Sequence, residues 1–412
     1  MDIGAIGVYS SIFLALYLEV FLLITFFERR PAAKSATLPK RYPSVAILVP
    51  CWNKAATLGG TVESLLAMDY PKDKLSIVII DDGSTDGTFE AAQKFAENPQ
   101  VKIFQKKNEG SKYSALNFGI AHSDSELVGC LDADSFVEKD ALVEIVKKFE
   151  EDQETYAVAP SMKVNKPRNL LEFMQATEYT FGIFYKKMFD NLAAISVLPG
   201  PFSIYRRSLF DKVGLFRKAH HTEDMEMAFR MHAHGLKIVN AHTAIVHTNV
   251  PTTVGALVRQ RTRWSRGFLE NSKDYSYMYL NTKFGNFGML ILPVGLLGFM
   301  LALYVAGYML YKIGTMAATF ILDFFATGVP VHAPTQLNLE WYYLNTSVMT
   351  FVIVAVLGMT LVAIAIGSRI AETKLGLKSY VSYFMLFGLV APLWLARAAY
   401  DTITNNERGW LT

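Results

Sequence analysis

The sequence predicts an α/β domain, with a mostly parallel sheet covered by helices, joined to a transmembrane α-helical part. Apolar residues gather into long runs near the two ends of the chain, whereas the region between them alternates short apolar and helix-like segments. Charged residues make up 19% of the 412 residues, below the roughly 25% typical of soluble proteins. This composition excludes both a wholly soluble globule and a disordered chain.

Four apolar runs are long enough to cross a bilayer, which takes about 20 residues in a helix. They are residues 3–27, 286–311, 346–368 and 379–396. The first is longer than the core of a signal peptide and has no small-residue cleavage site after it, which predicts a retained anchor. A further apolar segment, residues 313–329 around Asp323, predicts a re-entrant or interfacial element.

Basic residues predict the orientation, because short cytoplasmic loops carry an excess of lysine and arginine. Five follow the first run, namely Arg29, Arg30, Lys34, Lys40 and Arg41. We therefore expect residues 28–285 in the cytoplasm of a protein that is integral to the cell membrane. The chain then divides into an anchor, an α/β domain, amphipathic interface helices and about three further membrane helices, at residues 1–30, 31–250, 251–285 and 286–412.

Three apolar segments predict the strands of the α/β domain: Ser44–Val49, Leu75–Ile80 and Leu127–Leu131. Each is followed by polar residues and then by a helix-like stretch. Strands that are apolar throughout and separated by helices are typical of a parallel sheet covered on both faces. Since ligands bind such sheets at the carboxyl ends of the strands, the polar residues that follow each strand are candidate site residues.

Charge and cysteine content narrow the class of protein further. Forty basic and 37 acidic residues give a net charge of +3, which gives no reason to expect a nucleic acid as partner. The two cysteines, Cys51 and Cys130, cannot form a disulfide framework. Both fall in strand-like runs, and we predict that they are reduced core residues.

Two pairs of acidic residues follow predicted strands. Asp81 and Asp82 open an Asp-Asp-Gly-Ser turn, and a capped turn needs only one of them, so the second favours contact with a ribose or a base. Asp132 and Asp134 leave the third predicted strand at a spacing of two. Such a pair suits Mg²⁺ or Mn²⁺, which binds one or two carboxylates together with substrate phosphates.

Two further motifs allow two interpretations each. Glu223 and Asp224 follow Thr222 at the start of a predicted helix, where acids favour the helix terminus, and where one of them can also serve as a general base. Arg263 and Trp264 lie in an arginine-rich amphipathic segment. That segment suits a helix on the membrane surface, and its arginine and tryptophan can also face a substrate diphosphate.

The order of these motifs resembles the membrane-embedded, processive-type members of glycosyltransferase family 2, which include cellulose, chitin, hyaluronan and poly-N-acetylglucosamine synthases. The resemblance covers residues 44 to about 270 by motif and implies a GT-A-like fold. It also implies inverting, metal-dependent transfer of a sugar from a nucleotide sugar, a UDP-hexose or UDP-N-acetylhexosamine, to an acceptor hydroxyl. The product would be a β-linked polysaccharide, which the membrane helices can export.

The resemblance also implies residue roles. Val49-Pro50-Cys51-Trp52-Asn53 resembles the opening strand of the family, and Asp82 matches an aspartate that contacts the nucleotide. Lys112 resembles the lysine of a GK-x-x-ALN segment, Asp132 and Asp134 match the metal-binding DxD, and Gly200 resembles the start of an acceptor-side loop. Asp224 matches the base of a Thr-Glu-Asp motif that includes Glu223, and Gln260, Arg263 and Trp264 match QxxRW. Lys54, where the family often has glutamate, and Ser111, where glycine is usual, depart from the pattern.

Two alternatives stay open at this point. The first is an enzyme that adds one sugar to a membrane lipid. Such enzymes share the acidic motifs and a QxxRW-like segment, but their product carries one added sugar, whereas a polysaccharide synthase makes a polymer. A membrane scaffold or transporter that only binds nucleotide would turn over no UDP-sugar. The implied partners are a nucleotide-sugar donor, a glycan or lipid acceptor and the lipid bilayer, and the sequence indicates no particular protein partner.

Overall fold

The computed structural model describes residues 3–29, 37–327 and 348–404. The strands are β1 (Val45–Cys51), β2 (Leu75–Asp81), β3 (Val101–Gln105), β4 (Leu127–Cys130), β5 (Ser135–Val137), β6 (Thr155–Val164), β7 (Ile204–Arg206) and β8 (Lys237–Thr248). The helices are α1 (Ile3–Glu28), α2 (Ala55–Leu66), α3 (Thr88–Gln93), α4 (Lys112–Ala121), α5 (Ala141–Glu151), α6 (Leu170–Asn191), α7 (Ser208–Val213), α8 (Glu223–Ala233), α9 (Val254–Asp274), α10 (Leu292–Thr327), α11 (Val348–Ile370) and α12 (Leu377–Ile403).

The strands form one sheet in the order β3-β2-β1-β4-β7-β6-β8-β5. Its first half is parallel, since β2 and β4 both run parallel to β1 and β3 runs parallel to β2. The short β7 runs antiparallel to β4 and β6, and β5 runs antiparallel to β8, so the sheet as a whole is mixed. The carboxyl ends of β1, β2 and β4 therefore meet at one edge, which is where such sheets bind ligands.

Helices cover both faces of the sheet because the central strands are apolar on both sides. Ile47 of β1 belongs to a core that includes Leu58 of α2, whereas the next residue, Leu48, packs with Leu116 of α4 on the other face. Successive side chains of a strand point to opposite faces, so a strand buried on both sides needs an unbroken apolar run. Cys51 and Cys130 are buried and free, as predicted.

Four helices within the described ranges are long and apolar enough to cross a membrane, as the sequence predicts and as expected of an integral membrane protein. Their apolar spans are Ile6–Glu28, Phe287–Ala326, Thr350–Ile370 and Leu377–Ile403. They correspond to α1, α10 with the short π-helix that precedes it, α11 and α12.

The predicted re-entrant or interfacial segment at residues 313–329 is not a separate element in the part that is described. Residues 313–327 continue α10, which is a single helix of 36 residues. The sequence contains no proline between Pro293 and Pro330, and Gly314 has open space around it, so nothing there breaks the helix. Residues 328 and 329 lie outside the described residues.

Two helices of the α/β domain, α6 and α9, lie against the membrane helices. Met174 of α6 and Leu257 of α9 share an apolar cluster with Ile364 of α11 and Trp394 of α12. Nearer the C-terminal end of α6, Phe184 packs with Leu22 of α1. The helix that carries the QxxRW residues, α9, lies between α8 and the membrane helix α12.

Candidate active site

Two carboxylates stand at the carboxyl end of β4, and each is paired with a lysine. The Lys112 ammonium contacts Asp132 Oδ1, and Lys54 Nζ lies 2.6 Å from Asp134 Oδ2. The carboxylate side chains are 35% and 28% exposed, so a ligand can reach both. Lys54, which stands where the family often has glutamate, thus brings a positive charge next to Asp134.

Lys112, the first residue of α4, has a side chain that is 12% exposed, and it links two acidic motifs. Besides contacting Asp132, its Nζ lies 3.9 Å from Glu223 Oε1 at the start of α8. Burial acts to lower the pKa of Lys112, but the charges of Asp132 and Glu223 outweigh it and raise that pKa. The ammonium therefore stays charged at neutral pH and joins the end of β4 to the start of α8.

A loop that contains Gly200 brings Asp132 and Asp224 to one place. The Gly200 N–H donates to Asp224 Oδ2 at 3.3 Å. A Cβ atom on Gly200 would lie 2.6 Å from Lys112 Nζ and 3.6 Å from each carboxylate oxygen of Asp132, so only glycine fits without a shift. The Cys130 thiol fixes the loop to β4 by donating to the Gly200 carbonyl at 2.7 Å.

Asp224 lies in the first turn of α8 and is partly buried. Its Oδ1 accepts from the Met225 N–H at 2.8 Å. Burial and the neighbouring charge of Glu223 raise the pKa of Asp224 to about 6, against the opposing charges of Lys112 and Arg263. Such a carboxylate is ionised at neutral pH and more basic than an ordinary aspartate, which suits a general base.

Helix α9 is locked to the residue that precedes the acidic pair. Thr222 Oγ1 accepts from Asn271 Nδ2 at 3.0 Å, and Gly267 lets the two segments approach closely. A Cβ atom on Gly267 would lie 2.3 to 2.8 Å from three side-chain atoms of Thr222. This contact holds α9, including Arg263, beside Asp224.

Replacing Gly267 with alanine should lower the melting temperature of the purified full chain. The added methyl group has no room against Thr222, and overpacking of this kind costs about 1–3 kcal/mol. Gly59→Ala in α2 is the matched control, because nothing lies within 4 Å of its added Cβ. Equal melting temperatures for the two variants would contradict the close contact.

Both residues of the Asp81–Asp82 pair are buried and have polar partners. Asp81 has no exposed surface, and its oxygens accept from the Ser84 N–H at 3.2 Å and from Gln105 Nε2 at 3.0 Å. Its contact with a ligand stays a prediction. Asp82, with a 10% exposed side chain, is paired with Lys106 at 2.9 Å.

Asn53 connects the loops that follow β1 and β2. Its N–H donates to Ser84 Oγ at 3.0 Å, and its Oδ1 accepts from the Thr85 N–H at 2.9 Å. Asn53 adopts a positive φ of 51°, which asparagine tolerates better than most residues. Pro50, in β1, lies opposite Ile80 of β2. These two residues thus shape the loop edge beside Asp82.

The remaining predicted residues lie on α9. Trp264 is 36% exposed, and the Arg261 guanidinium lies 4.1 Å from the centroid of its ring. The Gln260 side chain is half-buried, and its Oε1 makes no hydrogen bond within the described residues. Arg263 is near enough for its charge to lower the pKa of Asp224.

Sequence reasoning missed three charged residues of this region: Lys106, Glu178 and Arg261. Lys106 follows β3, a strand that the sequence did not indicate, and pairs with Asp82. Glu178 of α6 and Arg261 of α9 form an ion pair at 2.9 Å. These two residues lie 83 positions apart in the sequence, so no local sequence pattern predicts their contact.

A sequence model described as "Glycosyltransferase like family 2" matches residues 43–267, more than half of the chain. The chain belongs to glycosyltransferase family 2. The poly-β-1,6-N-acetyl-D-glucosamine synthase of Staphylococcus epidermidis is 30% identical over 264 residues, which are 63% of this chain and 64% of that protein. The enzyme of the same name from Staphylococcus aureus is 32% identical over 224 residues, 54% of each chain. The match thus spans less than two thirds of these family 2 relatives.

Among solved structures, the family 2 chain is similar to a mannosyltransferase from Pyrobaculum calidifontis that was solved with GDP-mannose and Mn²⁺. The TM-score is 0.65 at 20% identity, over 98% of this chain and 99% of that one. A likeness at this identity concerns the fold. It confirms the predicted GT-A-like domain with its helical membrane part.

Proposed function

We propose that this family 2 chain transfers an N-acetylhexosamine from a UDP-sugar to the hydroxyl of a growing β-linked polysaccharide, with inversion at the anomeric carbon. The Gly200 loop carries the proposal, because it joins Asp132 from the end of β4 to Asp224 from the start of α8. One bound molecule can therefore meet a cation-binding carboxylate and a basic carboxylate together. The names of the staphylococcal relatives favour N-acetylglucosamine as the sugar.

The end of β4 fits the Mg²⁺ or Mn²⁺ that this fold family implies. No group of three or more His, Cys, Asp or Glu side chains could hold a metal ion within residues 3–29, 37–327 and 348–404. Two carboxylates, Asp132 and Asp134, are the candidate metal ligands. Their negative charge already attracts the ammonium groups of Lys112 and Lys54. Two carboxylates completed by substrate phosphates match the preference of Mg²⁺, and the bound ion would neutralise charge on the departing diphosphate.

The chain's own residues then take the following roles. Asp224 accepts the proton of the acceptor hydroxyl as that oxygen attacks the anomeric carbon. The charge of Glu223 raises the pKa of Asp224 and thus makes Asp224 a stronger base. Arg263 can bind the diphosphate through two parallel hydrogen bonds. Asp82, Asn53 and Pro50 border the nucleotide. Inversion needs one direct displacement, so no covalent nucleophile is required.

The four long apolar helices support a location of this chemistry at a bilayer. We propose an anchor at residues 1–30, the glycosyltransferase domain at 31–250, interface helices at 251–285 and membrane helices at 286–412, with the domain on the cytoplasmic side of the cell membrane. The arginine-rich α9 lies between α8 and α12, which supports this arrangement. The product then leaves the site next to α6, α9 and the membrane helices, a short route for export.

One experiment tests the proposed function and its alternatives. The purified full chain is incubated with a panel of UDP-sugars and GDP-mannose, and free nucleotide and product mass are measured. A ladder of N-acetylhexosamine units with UDP release is the expected result. A single added sugar on lipid would indicate a lipid glycosyltransferase, and no turnover of any donor would indicate a nucleotide-binding scaffold; either would contradict the proposal.

The pH dependence should report Asp224. Because the pKa of Asp224 is raised to about 6, the carboxylate binds a proton below that pH and can no longer accept one, so turnover should fall as the pH drops through 6. Replacing Glu223 with glutamine removes a charge that raises this pKa. The acid limb of the kcat–pH profile should then move to lower pH, and a limb that stays in place or moves upward would contradict the assignment.

A further inference from the structure

Arg261 is buried in α9, whereas the other arginines of that helix are exposed or only partly buried. It is 3% exposed, whereas Arg259, half a turn earlier on α9, is exposed. Arg261 is not one of the residues assigned above to the proposed reaction. Burying a charged side chain is costly unless partners compensate the lost hydration, so its surroundings should explain why it is there.

One partner is Glu178 of α6. Arg261 Nη2 lies 2.9 Å from Glu178 Oε2, and the two side chains are 4% and 25% exposed. The ion pair joins the two helices that pack against the membrane helices. It fixes the guanidinium in position relative to both of them.

The second partner is an aromatic ring. The guanidinium carbon of Arg261 lies 4.1 Å from the ring centroid of Trp264 and 5.7 Å from that of Tyr179. Residues three apart are neighbours on a helix, so Arg261 and Trp264 meet on one face of α9. The guanidinium covers part of one ring face, and 36% of Trp264 remains exposed for another contact.

This cluster lies beside the proposed catalytic carboxylates. Gly267, one turn beyond Arg263, packs against Thr222 directly before the acidic pair. The charge of Asp132 contributes to the raised pKa of Tyr179, whose largest cause is burial, so the Tyr179 hydroxyl is within electrostatic range of the carboxylates. A ring held in this place can meet a sugar that approaches Asp224.

We propose that Arg261, anchored by Glu178, is a positioning residue that holds the Trp264 indole in the orientation that binds the acceptor sugar. This inference rests on the proposed function for the identity of the ligand. Sugars pack their C–H faces on aromatic rings, so a ring fixed in advance loses less conformational freedom when the acceptor binds. Arg261 itself does not touch the reacting atoms.

The first test does not depend on activity. The full chain is labelled with 5-fluorotryptophan at its five tryptophans, and the ¹⁹F resonance of Trp264 is assigned with a Trp264→Phe variant. Arg261→Lys keeps the charge for Glu178 but loses the planar guanidinium. We expect it to shift the Trp264 resonance and leave the others in place, and the matched control Arg259→Lys to move none.

The second test is kinetic and uses an N-acetylglucosamine oligosaccharide as acceptor. Loss of a cation–π contact predicts a rise in acceptor KM of about 2- to 30-fold for Arg261→Lys, with donor KM unchanged. In a Trp264→Ala background the same substitution should have no further effect on acceptor KM. Arg259→Lys should behave as the wild type does.

The outcomes separate the inference from the proposed function. An unmoved Trp264 resonance, or donor and acceptor KM that rise together, would mean that the ion pair only joins α6 to α9, and the inference would be overturned. If the wild-type chain transfers no sugar, the proposed function fails, and the ¹⁹F comparison alone decides whether Arg261 positions Trp264.

Discussion

Replacing Asp224 with asparagine is expected to lower the turnover of sugar transfer by about 10²–10⁴-fold, the usual contribution of a general base. The amide keeps the size of the side chain and can still accept from the Gly200 N–H, but it cannot take the proton of the acceptor hydroxyl. Donor binding should survive, because Asp224 meets the acceptor side of the reaction. The measurement is UDP release with acceptor present, beside the affinity of the chain for UDP.

A matched control for this substitution is Asp211→Asn in α7, an exposed aspartate of the same domain. It should keep wild-type turnover and melting temperature. UDP release by Asp224→Asn at nearly the wild-type rate would remove Asp224 from the role of base. A loss of UDP affinity equal to the loss of turnover would instead place Asp224 at the donor.

Chelation by EDTA is expected to abolish transfer, and added Mn²⁺ or Mg²⁺ to restore it. Asp132 and Asp134 are acceptor-only ligands at the end of β4, and their charge must be met when a diphosphate binds beside them. Asp134→Asn should raise the Mn²⁺ concentration needed for half-maximal activity. The measurement is the rate of UDP release against free metal concentration.

EDTA already saturated with Mg²⁺ is the control for this experiment, since it removes no ion and should leave the rate unchanged. Full activity after complete chelation would show that the two lysines, Lys54 and Lys112, compensate the carboxylates and the diphosphate without a metal. The metal role of Asp132 and Asp134 would then be withdrawn.

The buried half of the fold was predictable because its strands carry continuous apolar runs. The three predicted strands match β1, β2 and β4 to within two residues at each end. β3 was missed, and the reason is physical: it is an edge strand with Lys102 exposed, so its sequence does not read as a buried run. The continuation of α10 beyond residue 311 was missed because two charged residues, Lys312 and Asp323, interrupt its apolar sequence.

The candidate site was predictable where a carboxylate stands at the end of a strand or at the start of a helix. Asp132, Asp134 and Asp224 lie at element ends, where a carboxylate can face a ligand. The Asp81–Asp82 pair shows the limit, because its partners, Gln105 and Lys106, come from β3 and the residue after it, which the sequence did not indicate. Contacts between distant segments, such as Glu178 with Arg261, depend on how helices pack and are not written in a local pattern.

The length of α10 has a consequence for the surrounding lipid. Its 36 residues make a rod of about 54 Å, whereas the hydrocarbon core of a bilayer is about 30 Å thick. Even at a steep tilt of about 40°, it would rise about 41 Å, so roughly 11 Å of apolar helix must reach into the headgroup layer or be met by local thickening. Residues 310–326 are exposed on every side, so we expect this chain to respond to the thickness of the membrane around it.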